Sequence, residues 1–380
     1  MRPNHPTCAA LVLLFSVLLG CTETPDDLAP TRRAWVVMGT TLEISVYRSE
    51  AESAASLNDL EAAYAAVVEI DQLMSLYRED SEIVLLNAQA GGGPLAVSMH
   101  TGNVLSAATH YASISHSALD VTVQPIVDLW GFYDVATAQV PSQGQVDAVL
   151  QRVGIDNVTW DSENGQVALA PGAGLDFGGI AKGYAVDRAI AILQDRGVAA
   201  GLVNLGGNVG VFGQASQNRP WRIGIRHPRE NRLIGQVSLM SGAVSTSGDY
   251  DRYFETDGKR YSHIVDPRTG WPVEEIFSLT VVAPNATAAD ALSTAAFVLG
   301  ADQGLGLLSR CKGVRGILVQ PDAESESLLA VQTDVQRDHP NVQSPSFEVD
   351  SKVATKTWPG IATPIADCIW PVKNYRALPY

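Results

Sequence analysis

The sequence predicts a fold of the α+β (mixed α/β) class. Apolar residues alternate at every second position in many short segments, which is typical of half-buried strands, and segments with helical spacing lie between them. With 46% hydrophobic residues, 18% charged residues and 33 glycines, the chain has the composition of an ordinary folded protein. Its 380 residues can form one large domain or two smaller ones.

The N-terminal segment has the pattern of an export signal. The apolar run at 9–20 is shorter than the roughly 20 residues that a bilayer requires, and it ends in Leu18-Leu19-Gly20-Cys21. This tetrapeptide resembles a bacterial lipobox, although an ordinary signal with an incidental Cys is the alternative. We expect a lipoprotein signal peptide at 1–20, lipidation at Cys21 and a tether at 21–33. The folded part would then be exported, anchored to a bacterial membrane by lipid, and facing the periplasm.

Strand and helix patterns alternate through the first half of the chain. Leu42, Ile44 and Val46 share the buried face of a strand, and a helix follows from Leu57 to Met74. Further helices are expected at 101–114 and from about 141 to Gly154, and strands at 155–160 and 166–170 around the turn Asn164-Gly165.

The second half begins with a helix. It starts with Leu175 to Gly179 and ends at Gly197. A glycine-rich hairpin at 201–213 follows; it lacks G-x-G-x-x-G between a strand and a helix, which excludes a Rossmann loop. The remaining expected elements are strands at 221–226, 236–240, 261–265 and 279–282, a helix at 288–299 stopped by Gly300, and a last helix and strand ending at 320. We assign the folded domain to 34–320. Residues 321–380 show no periodicity and form an extension of unknown role.

Charge and cysteine content narrow the classes of function. The chain has 26 basic and 41 acidic residues, a net charge of −15, which argues against a nucleic-acid partner. A phosphate ligand should therefore arrive with a cation. Apart from the N-terminal cysteines, only Cys311 and Cys368 remain. They could pair in an exported compartment or stay free, and the sequence leaves both open.

Two segments carry groups suited to a phosphate ligand and its cation. The glycines after Asp176, at a helix start, leave N–H groups open to an anion beside Lys182, although Asp176 could simply cap the helix. Asp290 and Thr294 lie one helical turn apart, so both oxygens can face Mg²⁺. The spacing from Thr287 to Asp290 fits a capping box equally well.

His263 is the histidine with the most informative context. Alternation places it on the strand face opposite Ile264, directly before an Asp-Pro-x-x-Gly turn. Facing a phosphate site it could act as a general base, whereas an ordinary surface or packed histidine is the alternative.

The order of eight short motifs resembles the ApbE family, the FAD:protein FMN transferases. The motifs are Met38-Gly39-Thr40, Leu76 to Arg78 with Ser81-Glu82, Ala118 to Val123 with Leu129 to Gly131, Asp176 to Tyr184, Asn204 to Asn208, Ser245 to Gly248, Ser262 to Pro267 with Thr269-Gly270, and Ala289 to Thr294. The resemblance covers about 35–320. Leu119 stands where the family often has Phe, Asn208 where Asp is frequent, and the tail exceeds the usual chain end.

The resemblance implies an ApbE-like fold of antiparallel-rich sheets with packed helices. It further implies an enzyme that binds FAD as a substrate, uses Mg²⁺, transfers FMN to a Thr or Ser hydroxyl of an exported partner protein and releases AMP. The usual acceptors are membrane-bound, flavin-carrying electron-transfer complexes. A Mg²⁺-dependent FAD diphosphatase giving FMN and AMP, or a flavin-binding lipoprotein without turnover, are the alternatives.

Site residues follow from the same resemblance. His263 is expected to act as the catalytic base. The metal is expected at the backbone carbonyl of Gly179 and the side chains of Asp290 and Thr294. The residues expected against the flavin and adenine are Met38, Tyr77, Ala118, Leu119, Asp120, Asp176, Lys182 and Ile264.

Overall fold

A nine-stranded sheet organises this computed structural model. The structure describes residues 30–47, 53–214, 219–274, 276–322, 328–333, 345–358 and 364–371. The expected signal peptide, Cys21 and most of the tether lie outside these residues. The mixture of helices and sheets confirms the predicted α+β class.

The strands and helices follow one another in a mixed order. The strands are β1 Thr31–Val37, β2 Thr40–Tyr47, β3 Leu95–Ala96, β4 Val158–Asp161, β5 Gln166–Leu169, β6 Ala200–Leu205, β7 Asn208–Phe212, β8 Trp221–Arg226, β9 Leu233–Leu239, β10 Gly242–Gly248, β11 Tyr253–Thr256, β12 Lys259–Ser262, β13 Ser278–Ala283, β14 Arg315–Pro321, β15 Leu328–Thr333, β16 Ser346–Val349 and β17 Ala354–Trp358. The α-helices are α1 Ser53–Met74, α2 Glu82–Ala88, α3 Met99–Ile114, α4 Gln124–Leu129, α5 Gln143–Leu150, α6 Ala181–Asp195 and α7 Ala286–Arg310.

The main sheet has the order β1-β2-β6-β7-β10-β13-β14-β15-β17. Its neighbours are antiparallel except for β15 and β17, which are parallel. Three small sheets accompany it, with the orders β16-β9-β8, β3-β5-β4 and β11-β12. The sheets are therefore antiparallel-rich, as the resemblance implied.

Each face of the main sheet buries a separate apolar cluster. On one face α1, α6 and α7 pack together and on the strands, with Ile44, Val203 and Leu292 in the cluster. On the other, Val209 and Val282 meet apolar residues of the small sheet β16-β9-β8. Because side chains alternate along a strand, residues adjacent to those valines face the helices. This alternation puts polar residues of β7 and β10 on the helix side.

Helix α7 is long and apolar enough to cross a membrane, but it is a core helix. Of its most apolar stretch, 67% is buried inside the fold, against β10 and β13. The stop predicted at Gly300 coincides with a break, since Gly300 has φ +83° and a second helical segment continues to Arg310. Glycine supplies the positive φ that this change of direction needs.

Local turns shorten two of the predicted strands, whereas β9 begins at Leu233, ahead of the predicted 236. Ile155–Asn157 forms a 3₁₀ turn, so the strand expected at 155–160 begins at Val158. The strand expected at 261–265 ends at Ser262, and beyond it only Val265 makes an isolated bridge, with Pro272. In both places a local backbone turn takes over from the alternating pattern. His263 consequently lies on a loop after β12.

The chain beyond 320 contributes strands to the main sheet. β14 continues to Pro321, and β15 and β17 extend the sheet at its edge. Cys311, at the end of α7, forms a disulfide with Cys368, with their Cα atoms 5.3 Å apart. This bond answers the question that the sequence left open and ties the described end of the tail to the domain.

Candidate functional site

A cavity of about 480 Å³ brings the predicted site residues together. Its walls come from the β1–β2 turn, the segments after α1 and α3, the start of α6, the loop after β12, and α7. The predicted residues that line it are Met38, Tyr77, Ala118, Leu119, Asp120, Asp176, Gly179, Lys182, His263, Ile264, Asp290 and Thr294. Every predicted site residue that the structure describes is therefore a wall residue of one cavity.

The β1–β2 turn is held by the carboxylate of Asp71, which no sequence motif marks. Met38 and Gly39 have φ values of +52° and +68°, and the Met38 N–H donates to the Asp71 carboxylate. Burial raises the pKa of Asp71, while Arg78 and this hydrogen bond act in the opposite direction. Asp71 lies in the last turn of α1, near Met74. Only the packing of α1 against the β1–β2 turn reveals its role.

Aromatic and basic side chains surround the mouth of the cavity. Tyr77 is 61% exposed, and its hydroxyl accepts a hydrogen bond from Nη1 of Arg252 at 2.9 Å. The ring of Tyr133 meets that of Tyr77 edge-on, 6.5 Å between centroids. Arg252 and Tyr133 both line the cavity. No sequence motif marks either residue, although Tyr133 lies only two positions after the Leu129 to Gly131 motif.

Asp176 and Lys182 fasten the loop before α6. Asp176 accepts hydrogen bonds from the N–H of Gly178 and from the hydroxyl of Tyr133, both at 2.7 Å. The Lys182 ammonium donates to the carbonyl of Gly178, also at 2.7 Å. Because α6 begins only at Ala181 and has no side-chain cap, the capping alternative for Asp176 is wrong. The two charged residues instead shape the loop that presents Gly179 to the cavity.

The loop after α3 forms the deep wall. Ala118, Leu119 and Asp120 are nearly inaccessible, at 1%, 4% and 4% exposure. Oδ1 of Asp120 accepts from the N–H and the hydroxyl of Thr122, at 2.9 and 2.6 Å. Burial raises the pKa of this carboxyl, and the Thr122 hydrogen bonds oppose the rise. Asp120 therefore stabilises the wall through its own loop.

Asp290 connects α7 with α6 and does not cap its own helix. Its Oδ2 accepts the N–H of Gly183 at 2.9 Å, and the side chain is buried, at 4% exposure. The N-cap of α7 is Asn285, which accepts from the N–H of Ala288 at 2.8 Å. The capping-box alternative is therefore wrong. A Cβ at Gly183 would collide with the carbonyl of Ala286, so glycine is what permits this close approach.

The groups around Asp290 fit a hard divalent cation. The hydroxyl of Thr294 lies 3.5 Å from the carbonyl oxygen of Gly179 and 3.5 Å from the hydroxyl of Ser247. Burial raises the pKa of Asp290, with Lys182 and the Gly183 N–H acting against it. A buried carboxylate among neutral oxygens is a donor set that suits Mg²⁺. No cluster of three or more His, Cys, Asp or Glu side chains occurs in the described residues.

His263 has a defined tautomer. Its Nδ1 lies 3.1 Å from the carbonyl oxygen of Arg252, which also accepts the His263 main-chain N–H at 3.0 Å. A carbonyl oxygen can only accept, so Nδ1 carries the proton and Nε2 has the free lone pair. Burial, with Arg252 and Lys182 nearby, lowers the pKa of His263 to about 4. The imidazole is therefore neutral at physiological pH, and the lone pair of Nε2 can accept a hydrogen bond.

Comparison with known proteins gives matches over most of the chain. Residues 38–318 match the ApbE family. The FAD:protein FMN transferase of Salmonella typhimurium is 32% identical over 330 residues, which cover 83% of this chain and 93% of that protein. The protein of the same name from Treponema pallidum is 35% identical over 313 residues, 76% and 84% of the respective chains.

Solved structures agree with the sequence matches. The ApbE protein of Thermotoga maritima has a TM-score of 0.72 at 34% identity and aligns over 77% of this chain and 94% of its own. The apo flavinyl transferase ApbE of Pseudomonas stutzeri also has a TM-score of 0.72, at 32% identity, over 80% and 94%. The matched residues include every wall residue around Asp290 and His263. This chain therefore belongs to the ApbE family.

Proposed function

We propose that this protein transfers FMN from FAD to a Thr or Ser hydroxyl of a partner protein, with Mg²⁺, and releases AMP. The observation that carries the proposal is that neutral His263 and the oxygen set around Asp290 line the same cavity. The name FAD:protein FMN transferase of the relatives supports the transfer of FMN from FAD to a protein.

The reaction is a phosphoryl-type substitution at the FMN half of the diphosphate. The acceptor hydroxyl oxygen forms a bond to the FMN phosphorus, and the bond from that phosphorus to the bridging oxygen breaks. His263 takes the hydroxyl proton on Nε2, and AMP leaves with the bridging oxygen. A positioned general base typically contributes 10²–10⁴-fold to such a step.

The other wall residues bind and orient. Gly179, Asp290 and Thr294 would hold Mg²⁺, which neutralises diphosphate charge when bound. Lys182 would add positive potential in a chain whose net charge is −15. Tyr77, with Arg252 beside it, would cover an aromatic ring of FAD at the mouth.

One assay tests the proposal. The purified protein is incubated with FAD and MgCl₂, with and without a candidate acceptor domain, and covalent flavin is measured by in-gel fluorescence and intact mass. We expect flavin on the acceptor and one equivalent of AMP. An acceptor with its Thr replaced by Ala serves as the control. Free FMN plus AMP, equally with and without acceptor, would identify a diphosphatase, and unchanged FAD would identify a flavin-binding protein without turnover.

We further propose that the protein is a lipoprotein exported to the periplasmic side of a bacterial membrane, where the acceptor belongs to a flavin-carrying electron-transfer complex. The lipobox-like Leu18 to Cys21 segment supports the anchor. The disulfide between Cys311 and Cys368 supports an oxidising compartment, because disulfides are rare in reducing ones.

Replacing Cys21 by Ser is expected to move the protein from the membrane fraction to the soluble fraction. Each buried acyl CH₂ contributes about 0.8 kcal/mol of membrane binding, so a diacylated Cys anchors stably and its loss releases the domain. Fractionation and labelled palmitate incorporation measure the effect, with Cys8→Ser as the matched control. Wild-type protein that takes up no palmitate would contradict the lipobox.

A further inference from the structure

Asn208 is a buried polar residue with an unused hydrogen-bond acceptor. It is 4% exposed, it lines the cavity, and its Oδ1 has no hydrogen-bond partner among the described residues. A buried amide oxygen left without a donor destabilises the folded state, so such groups are rare in folded proteins. The structural role of the neighbouring Asn204 is different, because its Oδ1 accepts the N–H of Gly207 at 3.0 Å and closes the turn.

The position of Asn208 in the sheet places it at the Asp290 end of the cavity. Val209 pairs with Val244, so Asn208 lies beside Ser245 on the neighbouring strand. Val209 faces the cluster under the small sheet, and Asn208 therefore faces the helices. The hydroxyl of Ser245 lies 3.2 Å from that of Ser293 and hydrogen-bonds the carboxylate of Asp290.

Only some of the groups at this end of the cavity can donate a hydrogen bond to Oδ1 of Asn208. Diphosphate oxygens can only accept hydrogen bonds. The hydroxyl of Ser245 already makes hydrogen bonds with Ser293 and Asp290. Mg²⁺ usually keeps several of its water molecules, and these are strong donors. A hydrated cation at Asp290 and Thr294 would thus supply what the amide oxygen lacks.

We propose that Asn208 is a positioning residue that accepts a hydrogen bond from a water molecule on the divalent cation. The proposal rests on the metal site of the proposed function and extends it by one outer-sphere residue. Outer-sphere partners orient the ligands of a bound cation, and their loss typically lowers metal affinity by 10–100-fold.

The test compares Asn208→Leu and Asn208→Asp with the wild type. Thermal unfolding is followed against MgCl₂, and FAD affinity is measured in EDTA by flavin fluorescence. For Asn208→Leu we expect about a 10-fold weaker Mg²⁺ response, because outer-sphere losses begin at that size. Its metal-free Tm should not fall, since an unpaired buried acceptor has been removed. FAD affinity in EDTA should stay unchanged, and Asn208→Asp, which keeps an acceptor, should restore the Mg²⁺ response.

Asn204→Leu is the matched control on the same hairpin. It removes a partnered amide, so it should lower the metal-free Tm and leave the Mg²⁺ response intact. If Asn208→Leu responds to Mg²⁺ like the wild type, or loses FAD affinity in EDTA, the proposed role of Asn208 is overturned and the metal site still stands. A wild type that does not respond to Mg²⁺ would overturn the metal site and this inference with it.

Discussion

Replacing Asp290 by Asn is expected to lower FMN transfer at least about 100-fold and to remove its dependence on Mg²⁺. Asn keeps the shape of the side chain and an oxygen for the Gly183 N–H, but it lacks the charge that a cation needs. A bound cation typically supplies several kcal/mol of charge stabilisation, and each 1.36 kcal/mol is tenfold in rate. Transfer is measured as covalent flavin against MgCl₂ concentration.

The stability of the Asp290 variant separates a metal ligand from a structural residue. Burial raises the pKa of Asp290 in the folded state above its unfolded value. The ionised carboxylate therefore costs stability, and this cost grows as the pH rises from the unfolded-state pKa to the folded-state pKa. Without metal, Asp290→Asn should be at least as stable as the wild type at neutral pH. Full transfer by this variant at limiting Mg²⁺ would contradict the role of Asp290 as a metal ligand. Asp290 would then be a structural residue that contacts α6 through the Gly183 N–H.

Replacing His263 by Ala is expected to lower transfer by 10²–10⁴-fold, the usual contribution of a general base, while FAD affinity stays within about twofold. Nδ1 is held by the Arg252 carbonyl, so the variant loses the Nε2 lone pair without changing the metal set. Phosphoryl transfer can proceed mainly by positioning and electrostatics, so a loss near the lower bound is consistent with the role. Single-turnover transfer and FAD titration measure the two quantities.

The pH profile gives a second and sharper readout for His263. Because burial lowers its pKa to about 4, the wild-type base is neutral above this value and protonated below it. The transfer rate of the wild type should fall as the pH drops through about 4. Near neutral pH, titration of His263 should not change the rate. His263→Ala should lack the loss of transfer that protonation of this group causes, while a loss from protonation of Asp290 is common to both proteins. Identical profiles for the two proteins would remove His263 from the proton transfer.

Local patterns in the sequence were sufficient for the class of fold and for the larger elements. The helix predicted at 101–114 and the strand at 221–226 match α3 and β8 closely, because a long amphipathic or alternating segment buries one face wherever it packs. Short elements were not predictable in this way. β10, Gly242–Gly248, has few large apolar residues because its helix side carries hydroxyls beside α7.

The order of the motifs also determined the family and the candidate site residues. Residues as distant in sequence as Met38 and Thr294 were assigned to one site, and the structure places both in the wall of the same cavity. Arg252, Tyr133 and Asp71 escaped notice because they act through contacts with other elements. No local pattern marks such a contact.

The tertiary structure alone decided between alternatives that are equivalent in sequence. Asp176 and Asp290 each fit a helix cap locally, yet one holds its loop together with Tyr133 and the other reaches across to Gly183. Cys311 and Cys368 pair because the tail returns to the end of α7. Sequence periodicity records which face of an element is buried, whereas the partner of a buried polar group depends on which elements pack together. For that physical reason the sequence determined the fold class, the family and the candidate residues that line the cavity, and the packing determined what each of those residues contacts.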